Sequence, residues 1–192
     1  MKRTATSLIL PLLICVGLTA TDKADTAGGL RCELQPTSTQ QLLATEPQSH
    51  LHFLLFSERD GLKVYADWNW WGYYARTFVL TDSASQNYEV TRRNPNVWDH
   101  NFPASVTINH GQVLVTDIYL CDGTWQASPK LAPKVFSVRM VGHYTLQART
   151  DTSPMPTFYP LEDVWSGTIG SAPVELYLSK DCISRLNADH TK

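Results

Sequence analysis

The stretch His50-Leu51-His52-Phe53-Leu54-Leu55-Phe56 is apolar on both alternations of its side chains. That is the pattern of a buried central strand. The segments around it carry related signatures. Asp60-Gly61 reads as a turn, and residues 62–68 as the strand after it. Leu30-Arg31-Cys32-Glu33-Leu34 alternates and stops at Pro36. Arg76-Thr77-Phe78-Val79-Leu80 is rich in β-branched and aromatic residues and ends at Asp82-Ser83. Asn87-Tyr88-Glu89-Val90-Thr91 follows, and Asn94-Pro95-Asn96 turns the chain. Ser105-Val106-Thr107-Ile108 runs into Asn109-His110-Gly111, which is expected to close a hairpin with a long strand over 112–120. Further strands are expected at 138–149 and at 174–178, where Val174, Leu176 and Leu178 alternate with Glu175 and Tyr177. About eight or nine strands result, with turn signals about every ten residues, the rhythm of an all-β antiparallel sandwich. Residues 40–45 allow one or two helical turns, and 182–192 another short helix or a frayed end.

Residues 1–20 read as a secretion signal. Lys2 and Arg3 give a positive start, residues 8–18 an apolar core, and Thr19-Ala20 a small-residue exit. The apolar run falls short of the roughly 20 residues that span a bilayer. A cleaved signal is therefore expected, with no transmembrane segment in the mature chain and a secreted or periplasmic location. Leu12-Leu13-Ile14-Cys15 resembles the lipid-attachment box of bacterial lipoproteins, but Ile14 stands where that family has a small residue. Lipidation at Cys15 is the secondary reading. Residues 21–29 read as a flexible leader, 30–184 as one domain and 185–192 as a tail.

Apolar residues make up 43% of the chain and charged residues 18%, a globular composition. The net charge is −2, and no basic run exceeds Arg92-Arg93. Nucleic-acid binding needs clustered cations and is not indicated. Past the signal, Cys32, Cys121 and Cys182 remain, enough for at most one disulfide within the chain. No Cys-x-x-Cys pair occurs.

Gly142-His143-Tyr144-Thr145-Leu146 resembles the tyrosine corner of immunoglobulin-like sandwiches, with Leu146 where that family has its second cysteine. The resemblance implies an immunoglobulin-like architecture and no activity. In that strand order, Cys121 and Cys182 fall at the same end of the sandwich and Cys32 at the other. It thus favours Cys121–Cys182 over Cys32–Cys182.

The densest chemical feature is Trp68-Asn69-Trp70-Trp71-Gly72-Tyr73-Tyr74. On a strand, Trp68 and Trp70 would share one face and Trp71 the other, unless Gly72 marks a bulge. So many rings exceed what one core layer holds. Trp68, Trp70, Trp71, Tyr73 and Tyr74 are therefore the expected ligand contacts, with Trp98 and Trp125 as neighbours. His50 and His52 share a face if that stretch is a strand, and could begin a zinc or copper site with a third ligand from Asp99, His100, His110 or His143. Asp60, Asp117 and Asp122 read as loop acids in ordinary turns. No Gly-x-Ser-x-Gly, Ser-x-x-Lys or His-Glu-x-x-His motif occurs. The expected role is a non-enzymatic exported binding module without a cofactor, its partner an extracytoplasmic protein. A carbohydrate-binding module and a His-based metal protein are the alternatives. Mass analysis of the mature N-terminus is expected to place it just after Ala20; a lipid-modified Cys15 would replace that reading.

Overall fold

The computed structural model describes residues 26–37, 50–94, 102–134, 137–147 and 163–189. In chain order these form β1 (Thr26–Ala27), β2 (Leu30–Pro36), β3 (Leu51–Ser57), β4 (Leu62–Tyr65), α1 (Trp70–Tyr73), β5 (Arg76–Asp82), β6 (Asn87–Arg92), β7 (Ser105–Ile108), β8 (Val113–Ile118), β9 (Trp125–Ser128), β10 (Ser137–Leu146), β11 (Gly167–Gly170), β12 (Val174–Tyr177) and α2 (Lys180–Asn187). The architecture is the expected all-β sandwich of antiparallel sheets. One layer has the order β1-β2-β3-β8 and the other β11-β10-β5-β6-β9. The strand β12 continues the line of β11 along the same edge of β10. No helix among the described residues is long and apolar enough to cross a membrane.

The core lies between the two layers and follows from the alternation. Leu30, Cys32 and Leu34 of β2 and Leu51, Phe53 and Leu55 of β3 point inward from one sheet. Phe78 and Leu80 of β5 and Val138, Met140 and Tyr144 of β10 meet them from the other. Phe53 contacts Phe78 edge-on at 6.2 Å between ring centroids, and Phe78 meets Trp125 at 5.0 Å. Each such side chain, fully buried, contributes about 1.5–3 kcal/mol. The opposite face of β3 is not sealed to the same degree: Leu54 is covered, whereas His52 and Phe56 are half-buried.

The turn at 109–111 is not the expected hairpin. Strand β7 pairs with β4, and β8 pairs with β3. Two long antiparallel segments, β3 into β4 and β7 into β8, bend together and leave the four-stranded sheet as a separate ribbon. Their corners are cross-linked. Asn109 Oδ1 accepts from the Gly61 amide at 2.9 Å, and Asp60 Oδ1 accepts from the His110 amide at 3.0 Å. Local turn residues cannot reveal which strand the chain will pair with next, so the sequence reading took the nearest one.

Other departures are smaller. The predicted strand over 62–68 stops at Tyr65. Thr26 and Ala27, expected in the flexible leader, pair with β2. The expected tail begins inside α2, whose Leu186 is buried. Tyr144 lies late in β10 and does not open it. Its hydroxyl is buried without a hydrogen-bond partner among the described residues, so the corner hydrogen bond is missing. Cys121 and Cys182 are bonded, with Cα atoms 4.8 Å apart, and Cys32 is buried in the core. The signal region, Cys15, Trp98, Asp99 and His100 lie outside the described residues.

At Gly142 the two layers approach each other closely. A Cβ there would sit 2.9 Å from Phe53 Cε2 and 3.1 Å from Leu34. Gly142→Ala is therefore expected to destabilise by about 1–3 kcal/mol through overpacking. Urea unfolding measures this, and an unchanged midpoint would mean the layers have room to part.

Candidate functional site

Residues 66–75 bridge β4 and β5, the position where a continuing strand was expected. Three local features stop the strand. The Asn69 side chain, wholly buried, caps α1: its Oδ1 accepts from the Gly72 amide at 3.0 Å. Its Nδ2 donates to the Ala104 carbonyl at 2.9 Å, tying the turn to the segment before β7. Gly72 packs against the backbone of Ala66, where any Cβ would lie 2.2 Å from the carbonyl oxygen. The Ala66 amide donates to the Ala104 carbonyl at 2.9 Å and the Thr145 amide to the Ala75 carbonyl at 2.8 Å, so one end of the turn is fastened to the segment before β7 and the other to β10.

The indoles therefore fan out around one helical turn instead of alternating across a sheet. Trp68 is 61% exposed, Trp70 41% and Trp71 36%, so none of the three serves as core. Trp71 stacks on Tyr65 with centroids 6.0 Å apart and planes at 29°. Trp70 meets Tyr74 edge-on at 5.1 Å, and Tyr74 meets Tyr73 edge-on at 5.0 Å. Tyr73 and Tyr74 are half-buried and form the inner part of this cluster. The Tyr73 hydroxyl donates to the Arg93 carbonyl at 3.1 Å. Arg92 lies between the rings of Tyr73 and Trp125, at 4.6 and 5.1 Å. Trp125 itself is core, 2% exposed, and is not a surface contact. Tyr65 and Arg92 were missed by the sequence reading because their partnership with these rings depends on the bend after β4.

Burial raises the Tyr73 hydroxyl above the usual phenol range, with Arg92 opposing and Asp122 adding. Burial likewise raises Tyr74, helped by Tyr73. Both phenols thus remain neutral donors at physiological pH. Burial, joined by the like charge of Arg76, also lowers Arg92, against the opposite charges of Asp67 and Asp122.

Beneath the turn lies an ion pair. Asp67 binds Arg76, whose side chain is 1% exposed. Arg76 Nη2 also donates to Thr116 Oγ1 at 2.9 Å, on the opposite sheet. The guanidinium sits over Phe53 and Tyr144, 5.3 and 5.2 Å from their centroids.

The predicted histidine pair lies on the other sheet. His50 and His52 share the outer face beside β8, as strand alternation requires. The residue brought to them is Asp117, directly opposite His52 in the β3–β8 register. Asp117 is thus a strand residue and not the loop acid expected. His110 sits at the other end of β8, and His143 belongs to β10 in the second layer. Asp60 and Asp122 serve turns as expected, Asp122 Oδ1 accepting from the Thr124 amide and hydroxyl at 2.8 and 2.7 Å. No family profile, curated protein sequence or solved structure matches this chain at a significant level.

Asp67→Ala leaves the Arg76 charge without its carboxylate and is expected to cost about 2–4 kcal/mol. The double variant with Arg76→Met is expected to regain part of that loss. Chemical denaturation tests both; a single-variant cost below about 1 kcal/mol would place this pair with ordinary surface bridges.

Proposed function

We propose that this protein is an exported, non-catalytic binding module that grips a protein partner with Trp68, Trp70 and Trp71, braced by Tyr73 and Tyr74. The supporting observation is the exposure of three indoles on a turn that is itself locked by Asn69, Gly72 and the strand ends. A rigid aromatic anchor loses little entropy on binding, which is why Trp and Tyr dominate interface hot spots. The three indoles leave roughly 300 Å² of ring surface in water, and covering it at ~25 cal/mol per Å² yields about 7–8 kcal/mol before association costs. After association costs of about 4 kcal/mol or more, these rings alone support millimolar binding at best, and surrounding contacts must supply the rest. The residue 1–20 pattern and the Cys121–Cys182 bond support an oxidising, extracytoplasmic setting.

The bracing favours a protein over a sugar. Trp71 gives one face to Tyr65, while Trp70 is held at 72° to its own neighbour Tyr74. Trp70 and Trp71 are thus oriented by different partners, which suits a knob entering a pocket. A glycan is the second reading, favoured by the near-parallel Trp71–Tyr65 pair alone.

Affinity capture with the purified protein from extracytoplasmic extracts, followed by titration of the captured partner, tests the proposal. Trp70→Ala with Trp71→Ala is expected to weaken binding at least ~100-fold, as loss of two hot-spot residues does. Equal binding by wild type and variant would refute the assignment. Trp-dependent binding on a glycan array, with no protein captured, would install the second reading.

A further inference from the structure

The outer face of the four-stranded sheet carries a second constellation, separate from the aromatic turn. Strand periodicity puts His50 and His52 on one side of the chain, and the register places Asp117 across from His52. His52 Nδ1 and Asp117 Oδ1 are 2.8 Å apart, and His50 Nε2 is 3.9 Å from the same oxygen. The two imidazoles meet edge-on at 5.0 Å, and His50 lies 5.0 Å from the Tyr119 ring. One ligand atom from each of His50, His52 and Asp117 falls within 4.8 Å of the others. Nitrogen and oxygen bonds to a late first-row ion of about 2.0–2.2 Å separate ligands by roughly 3.3 Å in a tetrahedron. Closing the widest separation takes about 1.5 Å, shared between two side chains by rotation about their χ angles.

We infer that His50, His52 and Asp117 form a binding site for a divalent late transition ion, zinc or copper. Two imidazole nitrogens and a carboxylate oxygen match the donor preference of these ions and not that of calcium or magnesium. Three protein ligands leave the remaining positions open to solvent, the arrangement of an exchangeable site rather than a closed structural one. The part-exposed side chains agree, at 23%, 32% and 46% of their free area. The ion would replace the His52–Asp117 hydrogen bond and join β3 to the edge strand β8. Copper(II) is expected to bind more tightly than zinc, as the usual ordering of divalent affinities requires.

The test uses protein without a polyhistidine tag, stripped with a chelator and titrated separately with zinc and copper(II) by calorimetry. One ion per chain is expected, with micromolar or tighter affinity and a higher thermal midpoint on addition of metal. His50→Ala, His52→Ala and Asp117→Asn are each expected to weaken zinc binding at least ~10-fold, while His110→Ala is expected to leave it unchanged. Millimolar affinity in the wild type, or equal affinity in the His50→Ala/His52→Ala double variant, would overturn the site. Should the alanine variants fail to fold, the copper(II) electron paramagnetic resonance spectrum of the wild type still decides. Coupling to two imidazole nitrogens is required, and its absence removes the site.

Discussion

A guanidinium inside a β-sandwich sets the terms for its surroundings. Arg76 is the first residue of β5, and its charge has no access to water. A buried cation is tolerated only with an anion and hydrogen bonds close by. Asp67 supplies the anion and Thr116, from the facing sheet, a hydroxyl. Phe53 and Tyr144 close over the planar group from opposite layers. The consequence reaches outward, because Asp67 immediately precedes Trp68. Holding Asp67 over Arg76 determines where the aromatic turn leaves the body. The Nε of Arg76 and the hydroxyl of Tyr144 are the buried side-chain polar atoms without a hydrogen bond among the described residues. Specific placement is therefore achieved at a cost in unmet polar contacts.

The rest of the architecture divides naturally around that centre. The disulfide and α2 close one end: Arg93 reaches the carbonyls of Arg185 and Ala188 at 2.8 and 2.7 Å, and Cys182 holds the helix to the segment after β8. The bent ribbon of β4 and β7 is a two-stranded sheet of its own whose Leu62, Val64 and Ile108 join the common core, and the indoles are mounted where β4 turns back toward β5. The histidine pair occupies the outer surface of the other layer. Two surface chemistries, apolar rings and imidazoles with a carboxylate, are thus carried by different strands of one framework.

Much of this framework was legible beforehand. Alternation in Leu30-Arg31-Cys32-Glu33-Leu34 and in 174–178 correctly assigned inward and outward residues, because a strand's period is a local property. The excess of rings over core capacity correctly implied exposed indoles. Asn69 is absent from the expected functional residues, although Asn is among the favoured helix N-caps. Its signal was masked by the aromatic residues on both sides, which favour strands. A bulge at Gly72 is the sequence's alternative to strict strand alternation, yet the glycine's reason is contact with Ala66, a meeting that exists only once β4 has turned. The Trp125 side chain, expected near the surface, is drawn inward by Phe78 and Arg92.

Sequence by itself determined the class of fold, the supply of apolar residues for two layers, and the presence of rings and imidazoles beyond what packing needs. These depend on composition and on periods of two residues, which every chain displays along its own length. Tertiary structure alone decided that β7 and β8 part company, that Asp67 shields Arg76, and that Asp117 lies beside His52. Each of those is a relation between segments from nine to 65 residues apart. Strand register and sheet exchange set it by satisfying backbone hydrogen bonds and buried charge across the whole molecule at once.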